Sequence, residues 1–152
     1  MIGIKTFIST IFNGKSQSYI YILVSKVEKL VCVGQTNDKS GSFGRGYSHV
    51  QSAGTLRNRC AERIGLGLEQ ISDLHLFSYP LPPEAEFISC ESSFRLAVEY
   101  LVQSKLYKRR NEVSPAFQII SNIATNERTN NGRVKKIADS IVEHFIENYL
   151  TL

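Results

Sequence analysis

The sequence predicts an α/β chain of the layered α+β kind, with a small, mainly antiparallel sheet that opens with a β-hairpin and is flanked by helices. Three observations predict it. Ser18–Val24 is dense in β-branched and aromatic residues, and Leu30–Val33 repeats that composition after a short polar interval. Two later stretches change to helical spacing of apolar residues, the second of them an amphipathic helix at the C-terminal end. Strands followed by helices in this order make a sheet with helices laid on it.

The elements follow in order. Ser18-Tyr19-Ile20-Tyr21-Ile22-Leu23-Val24 reads as a buried strand. Ser25-Lys26 and Glu28-Lys29 around Val27 form the hairpin turn, and Leu30-Val31-Cys32-Val33 returns, ended by Gly34. Thr36 to Gly46 is rich in Asn, Asp, Ser and Gly and reads as a loop. A helix is expected to start near Arg45 and cover His49 and Val50. Gly54-Thr55 breaks it, and Thr55 is placed to cap a second helix to Ile64. Leu74–Tyr79 alternates as a third strand, stopped by Pro80, Pro82 and Pro83. A long helix is expected over Ser89–Leu106, with Phe94, Ala97, Val98, Leu101 and Val102 on its buried stripe. Ala116–Ile120 is a short apolar run that fits strand or helix equally. Asn130-Asn131-Gly132 marks a turn. The last helix, from Arg133 to Leu150, gathers Val134, Ile137, Ala138, Ile141, Val142, Phe145 and Tyr149 on one side, to face its own sheet or a partner chain.

The 152 residues fit one domain, with 42% hydrophobic residues to build a core and too few charges for a disordered chain. Charged or polar residues interrupt every apolar run before it reaches membrane-spanning length. Met1–Phe12 lacks the features of a secretory signal, so a cytoplasmic protein is expected. Cys32, Cys60 and Cys90 are odd in number and widely spaced, and His49, His75 and His144 are scattered; neither pattern makes a disulfide framework or a zinc site. The formal net charge is +4, and its basic residues cluster around Arg57, Arg59 and Arg63, around Lys105 to Arg110, and around Arg133 to Lys136. Solvated helix faces explain each cluster singly; together they favour a phosphate-facing surface.

One ordered set of residues carries more. Tyr19-Ile20-Tyr21 lies on the first strand, and Cys32-Val33-Gly34-Gln35-Thr36 ends the second. Arg45 and His49 follow on the first helix, then Glu99-Tyr100-Leu101-Val102 and Asn111 downstream. Over residues 18 to 111 this set resembles the GIY-YIG nucleases. Their hairpin carries G-I-Y on one strand and Y-I-G, often continuing G-Q-T, on the other. An Arg, a His or Tyr four residues later, a Glu and an Asn then follow in that order. Here Tyr19 stands at the family's Gly and Cys32 at its second Tyr. Residues 114 to 152 extend beyond the core as a helical tail within the same single domain, 1 to 152.

The resemblance implies a divalent-metal-dependent endonuclease that hydrolyses phosphodiester bonds in DNA. It implies Tyr21, Arg45, His49 and Glu99 as catalytic residues, with Glu99 holding Mg²⁺ or Mn²⁺. Gln35, Thr36, Arg57, Arg59, Lys105, Arg109 and Asn111 are then the expected nucleic-acid contacts. The residue types suit the chemistry. A single carboxylate suits a hard cation that keeps most of its waters, and a guanidinium grips phosphate oxygens as a fork. A phenol beside a cation can orient or deprotonate water, and positions 45 and 49 share a helix face. Glu91, eight residues before Glu99, is a rival ligand. The alternatives are a domain of the same fold that binds nucleic acid without cutting it, motivated by Cys32, and a protein-interaction module that forms a homodimer through the C-terminal helix.

Overall fold

A computed structural model describes residue 11, residues 16–122 and residues 124–152; the Met1–Phe12 reading therefore lies, Ile11 apart, outside the described residues. Strands β1 (Tyr19–Ser25) and β2 (Leu30–Thr36) form the hairpin. Helices α1 (Gly41–Val50) and α2 (Thr55–Ile64) follow, then β3 (His75–Pro80). A short helix α3 (Ala85–Ile88) precedes the long α4 (Ser93–Arg109), and β4 (Gln118–Ile119) precedes the terminal α5 (Gly132–Tyr149). The strands form one mixed sheet in the order β3-β1-β2-β4, antiparallel across β3-β1-β2 and parallel between β2 and β4. This is the layered α+β fold with a leading hairpin.

The hairpin pairs Tyr19 with Thr36 and Ser25 with Leu30. Its turn is held from outside by Asp73, whose carboxylate accepts from Lys26 N at 2.8 Å, Val27 N at 2.9 Å and the Ser25 hydroxyl. Lys29 takes a left-handed backbone (φ 55°) to close it. Because strand side chains alternate, the sheet buries both faces. Ile20, Ile22, Val24, Val31 and Val33 meet α4 and α5, while Tyr21, Leu23, Leu30 and Cys32 meet Leu56 and Cys60 of α2.

Several boundaries differ from the sequence expectation. Helix α1 starts at Gly41 rather than near Arg45, because Asp38 accepts from Ser40 N at 2.7 Å and turns the chain into the helix four residues early. Burial of Ser42 and Gly46 then offsets the poor helix propensity of a Gly-rich segment. Gly54, not Thr55, is the N-cap of α2. The long helix starts at Ser93, since Arg95 ties down the carbonyls of Phe87, Ser89 and Glu91 in the preceding loop. Within Ala116–Ile120 only Gln118–Ile119 is strand: Gln118 N donates to Lys29 O at 2.8 Å and Ile120 N to Val31 O at 2.9 Å.

Helix α5 is capped by Asn131, which accepts from Arg133 N and Val134 N. Its apolar side is spent inside the chain: Val134, Ala138, Val142, Phe145 and Tyr149 join the core with α4 and the sheet. Phe145 stacks edge-on against Phe77 and Phe117, with centroids 5.4 and 6.1 Å apart. Thus the face that motivated a dimer is the inner face of this domain. No helix among the described residues is long and apolar enough to cross a membrane.

The tail helix is therefore expected to be part of the folding unit. Phe145→Ala should cost about 3–5 kcal/mol, read as a lower urea midpoint; a loss below about 1 kcal/mol would show that α5 is dispensable.

Candidate functional site

The site grows from one close approach on the hairpin. Tyr21 and Gly34 are cross-strand partners. The Tyr21 ring lies over Gly34 so tightly that a Cβ there would come within 2.1 Å of the phenol oxygen. Only glycine permits this position for the ring. Its oxygen is then 2.6 Å from His49 Nε2, and the two rings tilt against each other with centroids 5.4 Å apart.

His49 is delivered by α1, whose end is set by Gly54. A Cβ on Gly54 would sit 2.1 Å from the His49 carbonyl oxygen, so α2 can turn off tightly behind the histidine. Arg57 of α2 donates to Val50 O at 3.0 Å, finishing the helix end, and is paired with Glu69 at 2.6 Å. Arg45, one turn before His49, is exposed and lines a hollow of about 270 Å³ with Gln35, Thr36, Asn37 and Asp38.

From α2, Arg59 donates to Cys32 Sγ at 3.6 Å. From α4, Glu99 accepts from Gln103 Nε2 at 3.3 Å and opens onto a cleft of about 110 Å³ beside Leu96, Tyr100 and Asn122. A cleft of about 680 Å³ between β3 and α5 takes none of these side chains.

Burial dominates the charge states. It pushes the Tyr21 phenol up to about 12, although the Arg45 guanidinium pulls it down. The histidine goes the other way: burial, helped by Arg45 and Arg59, lowers His49 to about 4. Glu99 rises to about 7 by burial, against the pull of Arg59 and Arg45. At neutral pH, Tyr21 is a phenol, His49 a neutral imidazole and Glu99 only partly ionised, while both guanidiniums keep their charge. Neither Arg45 nor Arg59 forms an ion pair with a described carboxylate. The cleft is electropositive at rest.

His49 Nδ1 is buried and lacks a hydrogen-bond partner among the described residues. An unpaired lone pair costs less than an unpaired N–H, so the tautomer protonated at Nε2 is favoured. Nε2–H then donates to the phenol oxygen, and the Tyr21 hydroxyl hydrogen is left to point into the cleft.

The sequence-predicted residues separate into two groups. Tyr21 and His49 are hydrogen-bonded, Arg45 and Arg59 bear electrostatically on His49 and Glu99, Glu99 opens onto its own small cleft, and Arg45 lines the larger hollow. Gln35 borders it, its Oε1 held by Arg95 Nε at 2.9 Å, and Thr36 is buried, accepting from Asp38 N at 3.0 Å. Lys105 pairs with Asp139 at 2.5 Å, and Arg109 with Glu112 and Glu143, so both join α4 to α5 or to its own end. Asn111 is exposed just past α4, about 18 Å along from Glu99 at the usual helical rise. Glu91 lies outside α4, exposed, where its carboxylate accepts from Ser93 N at 2.8 Å. Two supporting residues escaped the sequence reading, Arg95 and Gln103. Their spacing around Glu99, one every fourth residue on one helix face, was the available signal.

Among the described residues no three His, Cys, Asp or Glu side chains come together as a metal cage. The donor set fits a different arrangement: one half-buried carboxylate, its proton held to about 7, suited to a hard cation that fills its shell with water and phosphate oxygens. Compared with family models, with curated proteins and with solved structures, the chain has no match.

Two outcomes follow from this geometry. Gly34→Ala should displace the Tyr21 ring and cost about 1–3 kcal/mol; it should also let His49 titrate nearer its ordinary value, seen as a shifted imidazole resonance in pH-dependent NMR. An unchanged His49 titration would show that the close approach does not hold the pair. Glu99→Gln removes a carboxyl that binds its proton more tightly in the folded chain than in the unfolded one. Wild-type stability from this group is full below about pH 4.5 and is lost as pH rises through about 7. The stability difference between Glu99→Gln and wild type should therefore grow by about 3 kcal/mol between pH 4.5 and pH 8. The His49 contribution, lost as pH falls from 6.5 toward 4, is common to both proteins and cancels. A difference that stays flat across that range in urea titrations would contradict the buried carboxyl.

Proposed function

We propose that this chain is a GIY-YIG-type endonuclease that hydrolyses phosphodiester bonds in DNA with a divalent cation, Mg²⁺ or Mn²⁺. The observation that carries the reading is the Tyr21–His49 hydrogen bond at 2.6 Å, with Arg45 of α1 and Glu99 of α4 both bearing electrostatically on the Tyr21 phenol. The order of these residues along the chain, the motif sequence and the layered fold support it as well.

In this reading the DNA backbone enters the cleft with one phosphate against Arg45, whose fork matches two phosphate oxygens and whose charge does not depend on pH. The Tyr21 hydroxyl orients the attacking water. As the water oxygen bonds to phosphorus, its proton passes to the phenol oxygen of a Tyr21 that has first given its own proton to solvent, the phenolate being held by the Nε2–H of His49 at 2.6 Å. The bond from phosphorus to the leaving sugar oxygen breaks, and that oxygen is protonated from solvent. Glu99 is the residue that would hold the cation, with Gln103 fixing the carboxylate from the next turn. When bound, the cation supplies charge neutralisation at the phosphate and leaving oxygen. The phenol, raised to about 12 in the bare cleft, becomes easier to deprotonate as positive charge gathers beside it.

The test is supercoiled plasmid incubated with the purified protein in Mg²⁺, Mn²⁺ or EDTA. Metal-dependent nicking is expected, with Glu99→Ala and Arg45→Ala each lowering the rate at least about 100-fold. Absence of cutting under any metal, with salt-sensitive DNA binding retained, would replace this reading by a binding domain of the same fold.

A further inference from the structure

We propose that Arg59 is a second phosphate-gripping residue of the cleft, seated against β2 because position 32 carries a thiol rather than a ring, so that residues 32 and 59 form an exchangeable pair. The inference rests on the nuclease reading above and assigns the other side of the substrate phosphate.

Three observations carry it. First, Arg59 lacks the partners its neighbours on α2 have. Arg57 is held by Glu69 and two main-chain carbonyls, and Arg63 donates to Asn122 Oδ1 at 3.1 Å. Among the described residues Arg59 has only the Cys32 sulfur, at 3.6 Å, and a thiol is a weak acceptor. A half-buried guanidinium with most of its N–H groups unmatched fits an arriving anion. Second, Arg59 faces the cleft: Leu56 and Cys60 of the same helix are fully buried against the sheet, and Arg59 bears on Glu99, His49 and Cys32 together. Arg45, from α1, also bears on His49 and Glu99, so guanidiniums from two helices act on the same two groups. Third, Cys32 is 1% exposed, on the same sheet face as Tyr21. A tyrosine ring at that position would fill the space in which the Arg59 side chain reaches the strand. The small thiol and the long arginine are complementary in volume. A phenol donor on β2 and a guanidinium donor from α2 are alternative ways to put hydrogen bonds at one place.

The experiment compares wild type with Arg59→Ala, Arg59→Lys, Cys32→Tyr and the double variant Arg59→Ala/Cys32→Tyr. Each is checked by thermal melting and assayed for plasmid nicking and for binding of labelled duplex DNA in EDTA. Arg59→Ala is expected to lower kcat/KM by about 100-fold or more, and to reduce the slope of log affinity against log salt by about one. Arg59→Lys should restore the salt slope but only part of the rate, because an ammonium lacks the planar fork. Cys32→Tyr alone should lower activity by displacing Arg59, whereas the double variant should exceed Arg59→Ala by about tenfold. Activity and salt slope of Arg59→Ala within about threefold and 0.3 of wild type, with Arg45→Ala and Glu99→Ala inactive, would overturn the role of Arg59 and leave the nuclease standing. A folded double variant no better than Arg59→Ala would overturn the exchange between positions 32 and 59. If wild type binds DNA and cuts none, the salt slope alone decides: its reduction upholds Arg59 as a phosphate ligand, and its persistence rejects it.

Discussion

The close approach of the Tyr21 ring to Gly34 is the constraint on which the rest of the cleft depends. The ring can lie across the second strand only because that residue has no Cβ, and only in that position does its oxygen meet His49. This fixes the pitch of α1 above the sheet, and Gly54 fixes its end by letting α2 pass close behind the His49 carbonyl. Arg45 and Arg59 are thereby set on two helices whose directions follow from one hydrogen bond and one tight turn. Rigid elements place the functional groups; flexible loops carry little of the arrangement.

The second consequence is electrostatic. Taking Tyr21, His49 and Glu99 out of water raises the cost of their charged forms, so each moves toward neutrality. The arginines cannot respond in that way, since a guanidinium stays protonated. Burial therefore leaves the positive charges and suppresses the negative one. In the proposed reading, the two fixed cations would answer a phosphodiester, and Glu99, half-ready to ionise, would be the residue to hold a divalent cation.

The parts of this arrangement legible in the sequence are those set by local pattern. The hairpin follows from Tyr19 to Val33, α2 ends at Ile64 as expected though its cap is Gly54 rather than Thr55, and the tail helix is out by one residue at each end. Of the ordered motif, Tyr21 and His49 are joined by a hydrogen bond, and Arg45 bears electrostatically on both of them and on Glu99. What stayed hidden was decided by partners distant in sequence. Lys105 and Arg109 look like a basic surface until Asp139, Glu112 and Glu143 are seen beside them. Glu91 and Glu99 look equivalent until the helix is found to begin between them, at Ser93. Arg95 resembles any helical arginine, yet it is 2% exposed and spends its donors on loop carbonyls and Gln35. Composition gives the charge; only the fold tells which charges are already answered.

That distinction bears on the position where the chain departs from the family it resembles. A strand residue and a helix residue that share one volume are free to trade size, provided that the hydrogen-bond donor they jointly supply remains. Cys32 on β2 is compatible with the rest of the cleft because it leaves space, and the adjacent face of α2 carries the side chain that uses it. The constraint on this hairpin then falls on different positions with different strictness. Gly34 has no substitute, because any side chain collides with Tyr21; Tyr21 has none, because its oxygen must reach His49. Position 32 is conditional on position 59. On the proposal that positions 32 and 59 form an exchangeable pair, Cys32 is no loss, because Arg59 would supply the donor that a ring at position 32 would otherwise bring.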